Sequence, residues 1–371
     1  MNARHLIISL AISIVTILVG CGGNNMMPAT PTPTPAPSAA LVPTFAYVAN
    51  DGGTVTMFSV NSNSGMWTPL TPSAIATVSQ PESLAVDPQG RFLYVASSRD
   101  SVVGMFKIDA STGVLTPNNP PTVPGPPAES ITVDPSGNFV YLADEVDNAV
   151  TIFAIDPATG LLSPTTPGTV AAGLAPRGVT VHPSGMFAYS VNNDGTISMY
   201  SRDMATGSLT PLSPSIVHAG SLPFQITIDP TGRFAYVNDA DDHFVFQFSV
   251  NLATGALTQL SPPMVISGNG TTSVAVDPSG KFAFAVNRND NTVSIFDIDQ
   301  TTGALVNTPA KVATGNLPFY VRVDPSGKFV YVSNENDSTV TIYSLDSNGI
   351  LHQVGTAPSQ TTPLTIAVIT K

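Results

Sequence analysis

Cysteine is all but missing from this chain. Cys21 is the single thiol in 371 residues, so no disulfide can form between its own side chains. Charge is scarce too, at 10% of residues, and the balance is acidic, with 25 Asp and Glu against 13 Lys and Arg and a net charge of −12. A chain of that sign repels phosphates, which excludes nucleic acid as a partner. Helical periodicity is absent beyond the N-terminus. So are the short patterns that mark common chemistries: there is no GxSxG, no HExxH, no P-loop and no pair of histidines at metal-ligand spacing. Gly268–Ser273, GNGTTS, echoes a dinucleotide fingerprint but lacks the third glycine and a following helix. No cofactor and no metal is expected.

What the chain has in abundance is repetition. The turn DPxG starts at Asp87, Asp134, Asp229, Asp277 and Asp324, and His182-Pro183-Ser184-Gly185 supplies a sixth copy, successive starts lying 47 or 48 residues apart. A fixed period of that length in strand-rich units marks the blades of a propeller. Within Pro318–Gln353 an apolar strand leads into the turn DPSG, and KFVYVSN forms an aromatic and β-branched second strand. TVTIYSL alternates polar and apolar residues, and a weaker fourth strand follows DSNG. The glycine of that second turn recurs at Gly65, Gly113, Gly160, Gly207, Gly255, Gly303 and Gly349, seven times against six for DPxG. The unmatched innermost strand lies at the far end of the chain, where PLTIAVI (363–369) aligns with PESLAVD (81–87). The sequence therefore predicts an all-β, seven-bladed β-propeller of four-stranded antiparallel blades over residues 44–371. Its C-terminal strand completes the N-terminal blade and closes the ring.

Ahead of the repeats, Leu6–Val19 is an apolar run, too short for a comfortable membrane span, after the basic Arg4. Leu18-Val19-Gly20-Cys21 resembles a bacterial lipobox, so residues 1–20 read as a lipoprotein signal peptide and Cys21 as the lipidated first residue of the mature chain. By resemblance to diderm lipoproteins, Gly22 rather than Asp after the cysteine implies the outer membrane. Acylation would leave no thiol for catalysis. The Pro/Thr-rich stretch up to residue 43 favours extended polyproline II and reads as a linker. The expectation is a monomer in the bacterial cell envelope, touching membrane through its lipid alone.

In such a ring, the loops entering the innermost strands share one face with those after the second strands. Counting back from each DPxG places Glu82, Glu129, Arg177, Phe224, Thr272 and Phe319 around the mouth of the central channel, with Leu364 from the closing strand. One residue further in come Ser83, Ser130, Gly178, Gln225, Ser273, Tyr320 and Thr365. One arc of this mouth is charged and the opposite arc is aromatic. Glu82, Glu129 and Arg177 are the candidate catalytic residues; Phe224, Gln225, Phe319, Tyr320 and Arg322 are the candidate ligand-binding residues. Asp and Asn crowd the neighbouring loops, where they serve first as turn formers. His182 stands where the other turns carry Asp and reads as structural, and His218, His243 and His352 read as isolated.

Units of the form DPSGKFVYVSNENDSTVTIYSLD resemble the YVTN-type and lactonase-type seven-bladed propellers, whose relatives include 6-phosphogluconolactonase and carboxymuconate-cyclising enzymes. The resemblance covers nearly all of residues 44–371 and implies the fold. Catalytic members carry Pro-Arg-His before a strand, then His-Pro-x-Gly, a Tyr and an Asn-Glu pair. This chain has Pro176-Arg177-Gly178, His182-Pro183-Ser184-Gly185, Tyr189 and Asn192-Asn193. Arg177 is kept, while Gly178 and Asn193 replace the histidine and the glutamate. Two readings follow. One is an exported binding or scaffold module whose partner is a small lactone, a carbohydrate or an envelope protein. The other is a lactone hydrolase in which Glu129 or Glu82 activates water and Arg177 steadies the oxyanion. With Trp67 the only tryptophan, a redox propeller of the quinoprotein kind is set aside.

Overall fold

The structure, a computed structural model, describes residues 43–241 and 243–370. The signal peptide expected over residues 1–20, Cys21 and the linker up to residue 42 lie outside them. The described residues form 28 strands in seven four-stranded antiparallel sheets, with no helix among them. Blade 1 joins Pro43–Asn50, Thr54–Val60 and Trp67–Ala76 to the strand Pro363–Thr370, which takes its innermost place. The innermost strands of blades 2 to 7 are Pro81–Val86, Ala128–Val133, Pro176–Val181, Pro223–Ile228, Thr271–Val276 and Pro318–Val323. The ring closes as predicted, with Tyr47 opposite Ala367 and Val48 opposite Ile366.

Burial sorts the strands by radius. Second strands such as Phe139–Asp144 and Phe329–Asn334 are buried along their whole length, so they carry apolar residues on both faces. Outermost strands such as Leu115–Pro124 and Leu209–His218 are largely exposed and rich in proline. Proline has no N–H to offer, which blunts the free edge that each blade turns to solvent.

The repeated residues are joints between blades. Gly160 has φ +74°, and a Cβ there would lie 2.2 Å from the ring of Phe92 on the preceding blade, so the turn needs glycine for both its backbone and its neighbour. The six other glycines of this turn meet the corresponding phenylalanines in the same way, and Gly65 against Phe329 completes the circle. Tyr94 donates to the Gly160 carbonyl at 3.0 Å, as Tyr141 does to Gly207 at 2.7 Å. The DPxG aspartates hold their own turns: Asp134 Oδ1 accepts from the N–H groups of Asn138 and Phe139, at 2.9 and 2.8 Å. His182 does the equivalent work in blade 4. Its Nδ1 accepts from Ser184 N–H at 3.1 Å, and Nε2 donates to the Gly232 carbonyl of blade 5 at 2.8 Å. One joint has no counterpart in the repeat. The buried Arg202 guanidinium donates to Asp134 at 2.7 Å, to the Tyr141 hydroxyl at 2.6 Å and to the Gly185 carbonyl at 2.8 Å, tying blade 4 to blade 3.

Candidate functional site

Each innermost strand starts with a register slip. Pro81 faces Ser97 but Ser83 faces Ala96, leaving Glu82 as the extra residue; the same slip singles out Arg177, Phe224, Thr272 and Phe319. In blade 3 the slip spans Ala128 to Ile131 and includes Glu129. A bulged residue leaves the ladder, and its side chain is re-aimed. The mouth residues are thus set at the channel entrance by a backbone irregularity, which strict alternation along the strand would not reveal.

Below them lies a central cavity of about 530 Å³, lined by Glu82, Glu129, Arg177, Phe224, Gln225, Phe319, Tyr320 and Arg322 among others. All eight sequence-predicted residues therefore meet in one space. Arg177 Nη1 lies 3.5 Å from Glu129 Oε2, and the guanidinium sits over the Phe224 ring at 5.7 Å. Phe224 meets Phe319 edge to face at 5.8 Å and 84°. Charged and aromatic arcs are thus continuous, joined by a cation–π contact. Gln225 is also part of the scaffold, since its Oε1 accepts from Val274 N–H of blade 6 at 3.3 Å. Arg322 stands deeper in the channel, exposed, its guanidinium making no hydrogen bond or ion pair to any described residue. Leu364 lines an outer vestibule with Glu82, Glu129, Phe224, Phe319 and Glu335.

The two glutamates differ in environment. Glu82 is pushed up to about 7, first by burial and then by the negative charges of Glu129, Asp51 and Glu335; the Ser98 hydroxyl, donating to Oε1 at 3.1 Å, pulls the other way. Glu129 is also raised by burial, but the Arg177 cation opposes that shift. Two neighbouring carboxyls with unlike surroundings are able to take unlike roles. The unpaired one, held near neutrality, suits proton transfer, and the paired one suits fixing the arginine.

Most of the surrounding acidic rim is committed to loops. Asp100, Asp194, Asp290 and Asp337 each accept from a backbone N–H of the loop that leads into their own blade from the preceding one, at 2.7 to 3.1 Å. No group of three or more potential metal ligands gathers among the described residues. Arg288 pairs with Glu335 on the rim. Two histidines are less isolated than the sequence suggests: His243 Nδ1 accepts from Gly270 N–H at 3.3 Å, and His352 lies 3.4 Å from Asp346. Ser98 and the bulges were not anticipated from sequence, whereas Glu335 was expected on the acidic rim. Ser98 and Glu335 follow second strands, in the loops that the repeat already assigns to the mouth face.

The model of the seven-bladed β-propeller lactonase family matches residues 25–128, 120–222 and 226–368. No curated protein matches the chain. Among solved structures, a protein of Bacteroides uniformis provisionally described as a 6-phosphogluconolactonase is 19% identical, with TM-score 0.77, covering 89% of this chain and 100% of its own. A protein of Bacteroides fragilis with the same provisional description is 20% identical, with TM-score 0.76 over 91% and 100% of the two chains. The periplasmic gluconolactonase of Pseudomonas aeruginosa is 18% identical, with TM-score 0.73 over 88% and 98%. At these identities the likeness is one of fold.

Proposed function

This chain belongs to the seven-bladed β-propeller lactonase family, and from that premise we propose that it hydrolyses a small lactone at its channel mouth. The observation that carries the reading is Glu82, a half-buried carboxyl raised to about 7 beside the Glu129–Arg177 pair, in a cavity of about 530 Å³. Ring-opening needs a base and a stabiliser for negative charge, and nothing redox. Glu82 takes a proton from water as the oxygen adds to the lactone carbonyl. The carbonyl oxygen becomes an oxyanion facing the Arg177 guanidinium, which Glu129 holds in place. The ring C–O bond then breaks, and the Glu82 carboxyl returns its proton to the leaving alkoxide, giving the open hydroxy acid. Phe224, Phe319 and Tyr320 wall the ring, and Arg322 faces whatever reaches deeper.

A second reading is a module that binds a lactone, a carbohydrate or an envelope protein without turnover. Gly178 and Asn193 favour it, because catalytic relatives carry His and Glu at those places. Under either reading we place the protein in the bacterial envelope, anchored through Cys21, on the strength of the Leu18–Cys21 motif. A panel of sugar and acyl lactones, assayed with the wild type, Glu82→Gln and Arg177→Ala, separates the two. Turnover lost in both variants supports the hydrolase. Turnover that both variants retain refutes this site, and no turnover across the panel leaves the binding module.

A further inference from the structure

The innermost strands are stapled to one another at the mouth by side chains. Thr365 accepts from Leu84 N–H at 3.2 Å, Ser83 from Ile131 at 3.3 Å, Ser130 from Val179 at 3.2 Å, Gln225 from Val274 at 3.3 Å and Ser273 from Val321 at 3.3 Å. Between blades 7 and 1 the staple comes from Ser333, whose hydroxyl donates to the Leu364 carbonyl at 2.6 Å. Blades 4 and 5 form the exception. The stapling position there is Gly178, without a side chain, and the place matching Ser333 is Val191, without a hydroxyl. His182 ties these two blades only at the opposite end of the strands. The junction is also close: a Cβ on Gly178 would lie 2.8 Å from Val191 Cγ2 and 2.9 Å from the Phe224 carbonyl oxygen. Gly178 lines the cavity next to Arg177. The backbone N–H that corresponds to the five stapled ones is that of Ile226.

We infer that this unstapled junction is the subsite for the ligand's carbonyl oxygen, with Ile226 N–H and the Arg177 guanidinium as its two donors. The inference rests on the lactone reading above. At five of the other junctions a scaffold side chain takes this donor, and at the sixth Ser333 takes the neighbouring carbonyl; between blades 4 and 5 no side chain takes either group, and both are left to a ligand. A fixed backbone donor beside a cation is the arrangement that stabilises a developing oxyanion without reorganisation. The Phe224 carbonyl, on the same edge, offers an acceptor to a hydroxyl next to the reacting carbon. This subsite therefore fits a lactone bearing a hydroxyl there better than an alkyl lactone.

The test is Gly178→Ser combined with Val191→Ala. The first change returns the hydroxyl used at Ser83, Ser130 and Ser273; the second removes the methyl group that would meet the new Cβ. Val191→Ala alone is the reference, and Tm is read on both variants, because the new Cβ still meets the Phe224 carbonyl oxygen. Two measurements are made on the full chain: turnover of glucono-1,5-lactone, and hydrogen exchange at the Ile226 amide with and without gluconate. The double variant is expected to lose kcat/KM by about 100-fold relative to Val191→Ala, on the order of one oxyanion donor. Gluconate is expected to slow Ile226 exchange in the wild type and not in the double variant. Undiminished turnover in the double variant, or an Ile226 amide indifferent to saturating gluconate, overturns the subsite while hydrolysis stands. Protection of Ile226 without turnover of any lactone keeps the subsite and overturns the hydrolase. Neither protection nor turnover overturns both.

Discussion

Replacing Glu82 by Gln, and following the wild type across pH, tests the assignment of the base most directly. With its pKa near 7, the ionised fraction of Glu82 is about 1% at pH 5, about 10% at pH 6, half at pH 7 and about 90% at pH 8. If that carboxylate is the base, kcat/KM climbs roughly 90-fold between pH 5 and pH 8. A glutamate at its ordinary value would already be about three-quarters ionised at pH 5, and the same interval would bring less than a 1.5-fold rise. The neighbours supply a second handle. Glu129→Gln removes a negative charge that raises Glu82, so the midpoint should move to lower pH; Ser98→Ala removes the bond that lowers it, so the midpoint should move up. Stability follows with its own sign. The folded-state pKa lies above the unfolded one, so the folded protein holds the extra proton between them; stability is lost as pH rises from the ordinary glutamate range to about 7, and the full cost of burying the charge stands above that. Glu82→Gln should therefore raise Tm at pH 8 and leave it unchanged at pH 4. The assay is initial-rate lactone opening, with the spontaneous reaction subtracted at each pH. A flat profile from pH 5 to 8, or a midpoint unmoved by Glu129→Gln, refutes the assignment.

Arg202→Met breaks a buried pair and strands Asp134, whose remaining backbone bonds soften the loss. About 3 kcal/mol is expected, a Tm drop on the order of 4 °C in a ring of this size, read by calorimetry. Gly160→Ala sets a Cβ 2.2 Å from the Phe92 ring at φ +74° and should cost about 2 kcal/mol or more in denaturant unfolding, with the blades on either side of the joint loosening first by hydrogen exchange. Cys21→Ser should move the protein from the membrane fraction to the soluble one, and intact-mass measurement of the wild type should show the lipid; an unchanged distribution sinks the anchor.

The ring was legible because its determinants are local and repeated. Each DPxG aspartate closes its own turn, and each second-turn glycine is required by its own backbone, so seven copies announce seven blades. The mouth residues were legible through the same period, since Glu82, Arg177 and Phe319 keep a fixed distance from the turn. What stayed hidden lies between blades. Arg202 reads as an ordinary strand residue until Asp134, 68 residues away, is seen beneath it. Gln225 reads as a ligand contact, yet its oxygen serves blade 6. The meaning of Gly178 depends on what the equivalent residues do in other blades, and one strand's pattern does not contain that comparison.

Blade 1 places its innermost strand roughly 320 residues from its partner, where other blades pair strands a turn apart. A loop of that length costs about 1.7 kcal/mol more in chain entropy to close than a single 47-residue unit. The seam between blades 7 and 1 is therefore expected to form last and to loosen first under heat or denaturant. The chain's one tryptophan sits on it: Trp67 packs against Phe58 of its own blade at 5.0 Å and against Tyr331 of blade 7 at 4.7 Å. Its emission is a built-in optical reporter for a topological event, the joining of the two ends of a circle. Opening of the seam can be timed without adding a label.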